Sequence, residues 1–178
     1  MGIVGTAAYT GMSMTNYAGT NASIAPLLDF NRSRGTSDQS MTTVVTSDKL
    51  GEIIFRGSDG SNFLDAVTLR AYADSVSGST INGRFEIGTT NGSHSAKLII
   101  SKEGHVTPYA NNTQDLGSTA KGWRNVYMND LNLSNMNGDT NDVDGTQGSW
   151  TIQEGKDDLY IINRLNGKKF KIKMEEIS

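Results

Sequence analysis

The sequence predicts an all-β protein built from short strands and hairpins. Three observations carry that expectation. No segment has convincing amphipathic-helix periodicity, whereas short runs alternating apolar and polar residues recur between Gly-containing turns. Gly, Ser, Thr, Asn and Asp together supply 85 of the 178 residues, a composition suited to many turns joining short strands. Leu, Ile, Val and Phe number only 37, close to the lower limit for a chain that builds its own core. That scarcity favours an extended or oligomeric architecture over one thick core.

Along the chain, the first 28 residues carry no charged side chain and no helical periodicity. They lack the basic start of a signal peptide. Residues 1–26 read as a leader or attachment segment, either flexible or ordered by contact with a partner chain.

The run KLGEIIFRG (49–57) is bounded by glycines and followed by the turn residues Ser58-Asp59-Gly60-Ser61-Asn62. In LDAVTLRAYAD (64–74), Val67, Leu69 and Ala71 alternate with Thr68, Arg70 and Tyr72. The pair reads as a hairpin. The unit returns 32 residues later as GRFEIGT (83–89), Asn91-Gly92-Ser93 and AKLIIS (96–101). Gly51 aligns with Gly83, Ile53 with Phe85 and Phe55 with Ile87. This repetition predicts two similar hairpins following one another along an axis, with the aligned apolar residues buried. Residues 27–108 form this repeated region.

Residues 109–136 read as a connector. Asp115-Leu116-Gly117-Ser118 is a tight-turn sequence, and Trp123, Val126 and Tyr127 are closely spaced apolar anchors. Leu131, Leu133 and Met136 alternate loosely after them. NGDTNDVDGTQGS (137–149) is a loop by composition. Three strands follow, Trp150–Glu154, Asp158–Asn163 and Lys168–Glu175, the last two joined by an Asn166-Gly167 turn. Together residues 137–178 make a β-meander module. Trp150, Ile152, Leu159, Ile161, Phe170, Ile172 and Met174 can share one face, with Lys169, Lys171 and Lys173 on the other. A three-stranded meander with one apolar face needs a lid. No helix is available to supply it, so the lid is expected to be another copy of the chain. A dimeric sandwich and three sheets around an axis both satisfy that requirement.

Few chemistries find a foothold. A net charge of −3 and a pI near 5.3 give no electrostatic case for nucleic acid. No apolar run approaches membrane-spanning length. The absence of cysteine removes disulfides, thiolate zinc sites and thiol catalysis. His94 and His105 lie in or beside turn sequences with no second pair to support a metal. Aligning Asp142, Asp144 and Gly145 with a calcium loop puts Thr140 at its first position and Thr151 at its twelfth, where a bidentate Glu is needed. Glu52, Glu86 and Glu103 are candidate paired carboxylates, but strand positions make Glu52 and Glu86 better suited to a wet face. No catalytic, cofactor or metal residues are therefore expected. Binding is expected in loops, through Asp59, Asn62, Asn91, His94, Asp139, Asp142 and Asp144. Trp123, Tyr127, Trp150, Phe170, Ile172 and Met174 are the expected core or intersubunit residues.

Several stretches have a family look. LLDFNRSRGTSD (27–38) and KLGEIIFRGSDGSNFLDAVTLRAYAD (49–74) resemble the β-rich repeats of tailed-bacteriophage tail fibres and related virion fibres. NTQDLGSTAKGWRNVYMNDLNLSN (112–135) is similar to a segment near the C-terminal end of many such fibres. GSWTIQEGKDDLYIINRLNGKKFKIKMEEI (148–177) resembles a terminal fibre module. The resemblance implies a non-enzymatic virion protein, an elongated and intertwined homotrimer without the self-cleaving chaperone domain that many relatives carry. It implies as partners the chain itself, other virion proteins through residues 1–26, and a host-surface glycan or protein. A head-attached decoration fibre and a glycan depolymerase are the alternatives.

Overall fold

The computed structural model describes residues 13–17, 20, 25–91 and 93–176, with the side chains of Asn91, Ser93 and His94 outside the description. Most of the leader, residues 1–26, therefore lies outside the described residues. Strands β1 (Lys49–Ser58), β2 (Phe63–Ser77), β3 (Thr80–Asn91), β4 (Ser93–Ile100) and β5 (Val106–Pro108) form one sheet in chain order. Strands β6 (Asp130–Ser134), β7 (Ser149–Glu154), β8 (Leu159–Asn163) and β9 (Lys169–Lys171) form a second, also in chain order. Among the described residues there is no helix, and the all-β expectation holds. The chain divides into two compact units, one mainly of residues up to Ser95 and the other mainly from Val106 onward.

The turn between β1 and β2 follows from its sequence. The Asp59 carboxylate accepts the backbone N–H groups of Ser61 (2.8 Å) and Asn62 (2.6 Å), and Gly60 adopts φ +98°. The two hairpins do not succeed one another along an axis, as the repetition suggested. They lie side by side in one sheet, because β2 pairs antiparallel with β3 from Val67↔Thr89 to Ser77↔Thr80. The reason is local: β2 continues past Asp74, and a tight turn with Gly78 at φ +56° sends β3 straight back along it.

Register places Ile53, Leu69 and Ile87 in one row and Phe55, Val67 and Thr89 in the next. The opposite face carries the row Glu52, Arg70, Glu86. It is tiled by ion pairs: Lys49 and Arg70 with Glu52, and Arg84 with Glu86 (2.8 Å) and Asp74 (3.3 Å). The Arg84 guanidinium also sits 4.6 Å from the centre of the Tyr72 ring. Burial runs opposite to expectation. On the polar face Thr68 is inaccessible and Glu86 is buried, whereas Phe55 on the apolar face is 54% exposed and Ile53 is exposed as well. Phe85 and Ile87 are half-buried. Long charged side chains cover the polar face with their alkyl stems. The apolar face receives little: Phe30 lies against Gly51, where a Cβ would come within 2.9 Å of it.

The second sheet repeats this inversion. Leu131, Ile152, Ile161 and Phe170 form one cross-strand row, with Leu133 and Trp150 in a neighbouring row on the same face. The shared face read from alternation is therefore correct, and β6 extends it. Yet Phe170 is 48% exposed, and Leu131, Leu133 and Met174 are exposed too. The other face holds the buried groups, Thr151 and Ile162. The Thr151 hydroxyl donates to Asn132 Oδ1 (2.7 Å) and accepts from Arg164 Nε (2.8 Å). Strand β9 ends earlier than its alternation suggested. Its partner β8 begins at Leu159, so pairing ends where Ile172 N–H reaches the Leu159 carbonyl (2.9 Å). Met174 lies beyond the strand.

Among the described residues the buried apolar side chains are Val44, Ala73, Ala96 and Ile162. None is aromatic.

Candidate functional site

The second unit contains an open cleft of about 1030 Å³ between the end of the β6–β7 hairpin and the residues around Asn111, Asn163 and Leu165. The hairpin's last pair is Ser134↔Ser149, and residues 135–148 loop out between them. Asn135 holds both ends of this loop. Its Oδ1 accepts Gly148 N–H (2.6 Å), and its Nδ2 donates to the carbonyls of Asp139 (2.9 Å) and Thr146 (3.3 Å). Asn141 organises the middle, accepting the N–H groups of Val143 (2.9 Å) and Asp144 (3.1 Å). Gly145 supplies a positive φ of +69°. The wall is thus a structured surface rather than slack chain.

Three expected binding residues, Asp139, Asp142 and Asp144, line this cleft together. They differ in what they have left to offer. Asp144 Oδ1 accepts from the Thr146 hydroxyl (2.7 Å) and N–H (3.0 Å) and from Asn141 Nδ2 (2.6 Å). The Thr146 hydroxyl first, then Asn141, holds its carboxyl below the usual carboxylate range. Asp139 and Asp142 carboxylates have no hydrogen-bond partner among the described residues. No group of three His, Asp or Glu among the described residues is placed to hold a metal ion.

Asp59 and Asn62 belong to the other unit and serve their own turn; backbone N–H groups of Asn62 and Ser61 lower the Asp59 pKa. Asn91 closes β3 and His94 lies within β4, not at a turn tip. Their side chains, and Gly92 between the strands, fall outside the described residues. Glu52 is ion-paired with Arg70 and Glu86 with Arg84, and Glu103 lies in the Ser101–His105 turn.

Trp123 and Tyr127 are 65% and 91% exposed, so they are not core residues of the connector within the single chain. The physical reason is that no strand is formed between β5 and β6, and no layer among the described residues packs on them. Gly117 takes a left-handed φ of +94° in its turn, and a Cβ there would lie 3.1 Å from the Lys121 carbonyl oxygen and 3.5 Å from Trp123 Cδ1. Trp150 has two surroundings. Its ring lies 5.9 Å from that of Phe170 on the sheet face, while its Nε1–Cδ1 edge borders Gly148 in the cleft. That second role, and the anchoring by Asn135, were not legible from alternation. A polar residue closing a strand before a long Asx-rich loop is the signal that points to Asn135.

Among the described residues no helix is long and apolar enough to cross a membrane. No protein-family model matches the sequence, and no curated protein matches it. Among solved structures, the chain is similar to the carboxy-terminal domain of the bacteriophage T5 L-shaped tail fibre with its intramolecular chaperone domain. The TM-score is 0.60 at 16% identity, covering 68% of this chain and 32% of that one. The chain thus spans about a third of that structure's length. A structure of the same T5 fibre's carboxy-terminal domain aligns with a TM-score of 0.46 at 10% identity, covering 88% of this chain and 86% of that one. Over about two thirds of its length, the chain has the all-β fold of a bacteriophage tail-fibre carboxy-terminal domain.

Proposed function

We propose that this chain is a non-enzymatic fibre protein of a bacteriophage virion, assembled as a homotrimer and contributing to attachment to the host surface. The observation that carries this reading is the inverted burial of both sheets. Each buries groups on its polar face from within the chain and leaves large side chains of its apolar face exposed, among them Phe55, Leu131, Leu133 and Phe170. The occupant of those faces is two further copies of the same chain. Fully burying a large apolar side chain contributes roughly 1.5–3 kcal/mol. Leu131, Leu133, Trp150, Ile152 and Phe170 alone therefore offer enough to make assembly a condition of stability. Trp123, Tyr127, Ile172 and Met174 join them as interface residues, and Lys169, Lys171 and Lys173 stay in water. The fold likeness to a tail-fibre domain supports the same reading. Residues 1–26 serve attachment to other virion proteins, residues 27–108 and 109–136 form shaft and connector, and residues 137–178 form the terminal module that presents the 135–148 loop.

Light scattering on the purified chain tests the assembly. The expected mass is three chains of 19.2 kDa, about 58 kDa. A stable folded monomer overturns the proposal. Labelled protein binding to intact host cells tests attachment; saturable binding is expected, and its absence removes that half of the reading.

A further inference from the structure

We infer that the cleft beside the 135–148 loop takes a neutral sugar residue of a surface glycan, an inference that rests on the attachment reading above. The cleft's unengaged polar groups include acceptors and donors. The carboxylates of Asp139 and Asp142 can accept from sugar hydroxyls. The indole N–H of Trp150 and the amide of Asn137 can donate to them, and none of the four side chains has a hydrogen-bond partner among the described residues. Leu165 adds apolar surface for the C–H face of a pyranose ring. Such a mixture of a few polar groups on a partly apolar wall is what small-ligand sites use to fix orientation.

The charge of the lining narrows the class. Asp139, Asp142 and Asp144 face the cleft, and no Lys, Arg or His lines it. An anionic sugar would meet like charges without a counter-charge, so a neutral one is selected. The wall is also pre-organised. Asn135 and Asn141 direct their own hydrogen bonds into the loop backbone, which lowers the entropy of ordering it around a ligand. Gly148 keeps the indole edge accessible: a Cβ there would stand 3.1 Å from Trp150 Nε1.

Saturation-transfer NMR on the assembled protein tests this. Glucose, galactose, mannose and N-acetylglucosamine are the neutral probes, with N-acetylneuraminic acid as the anionic comparator. At least one neutral sugar is expected to bind, with N-acetylneuraminic acid weaker. The double variant Asp139→Ala, Asp142→Ala should lose at least tenfold in affinity while light scattering shows unchanged assembly. Trp150→Phe, which keeps an aromatic ring but removes the N–H donor, should also weaken binding. Failure of all four neutral sugars, preference for the anionic one, or unchanged affinity in the double variant overturns the inference. Host-cell binding by labelled protein separates the two readings: cells bound without sugar binding defeats the cleft assignment and leaves attachment standing.

Discussion

The rings of Trp150 and Phe170 lie 5.9 Å apart with a 40° tilt, on the apolar face of the second sheet, where Phe170 remains 48% exposed. The contact joins β7 to β9 across β8, so the two aromatics form a ridge on an otherwise aliphatic surface. A tilted pair contributes about 0.5–1.5 kcal/mol beyond its buried area. In the single chain that share of Phe170 stays open, and Trp150 is half-buried. The ridge therefore still has apolar area to bury against a partner.

Phe170→Asp follows directly. A carboxylate would be added to each copy at the proposed apolar interface, and burying it unpaired is prohibitive. Trimer should disappear in light scattering, leaving dissociated or aggregated chains. An intact trimer from this variant would show that the face packs elsewhere.

Phe55 and Phe85 separate the chain's own stability from that of its assembly. Phe55 is exposed, whereas Phe85 is half-buried one row away from Ile53, Leu69 and Ile87. Truncating a fully buried Phe costs about 3–5 kcal/mol. Phe55→Ala should bring that loss only where assembly covers the ring, so trimer dissociation should rise steeply with dilution. Phe85→Ala should in addition lower protection of β2 and β3 amides. Equal behaviour of the two variants in concentration-dependent melting would contradict this division.

Much of the fold was legible because strand alternation is a local property. Trp150, Ile152, Ile161 and Phe170 share a face as their spacing requires, and the Asn166-Gly167 turn joins β8 to β9. What alternation cannot report is a partner's extent. KFKIKME keeps alternating after β8 has run out, so β9 stops at Lys171. Nor does it report coverage: Ile53 and Phe55 were assigned to the correct face but expected to be buried, and that depends on what packs there. The cleft was harder still. Its shape rests on bonds from Asn135 and Asn141 side chains to loop backbone, which follow no period. Only its acidic residues could be singled out beforehand.

Acid should weaken the first unit through two carboxylates. The Arg34 guanidinium, then the Val45 N–H, holds the Asp48 pKa far below the usual range. Lys49, then Arg70, lowers that of Glu52, against burial. Both folded pKa values lie below the unfolded ones, about 3.9 for Asp and 4.3 for Glu. Their stabilisation is therefore complete above those values and is lost as pH falls through the folded ones. Melting temperature should change little from these groups between pH 7 and 5, then decline below about pH 4. Asp48→Asn should melt lower than the parent at pH 7 and converge with it in acid. A constant gap between the two at every pH would refute the linkage.

Asn135→Ala tests whether one side chain shapes the loop. The substitution removes three hydrogen bonds, leaving Gly148 N–H and the Asp139 carbonyl to water, while the Thr146 carbonyl keeps its bonds from Asn141 N–H (3.0 Å) and Nδ2 (2.9 Å). A net bond of this kind contributes about 0.5–1.5 kcal/mol, and these sites are largely open to solvent. The global cost should therefore stay small, about 1–2 kcal/mol. Local order should suffer more, because the lost bonds tie both ends of a 14-residue segment, 135–148, to a single point. Amide exchange at Val143, Asp144 and Thr146 should accelerate at least tenfold, and proteolysis should begin between residues 137 and 147. The ladder from Asp130↔Gln153 to Leu133↔Trp150 should keep its protection. Asn135→Asp retains the acceptor for Gly148 N–H but loses both donations, so it should fall between parent and alanine variant. Parent-like loop exchange in Asn135→Ala would mean that the Asn141 and Asp144 bonds hold the loop without it, and the role assigned to Asn135 would fall.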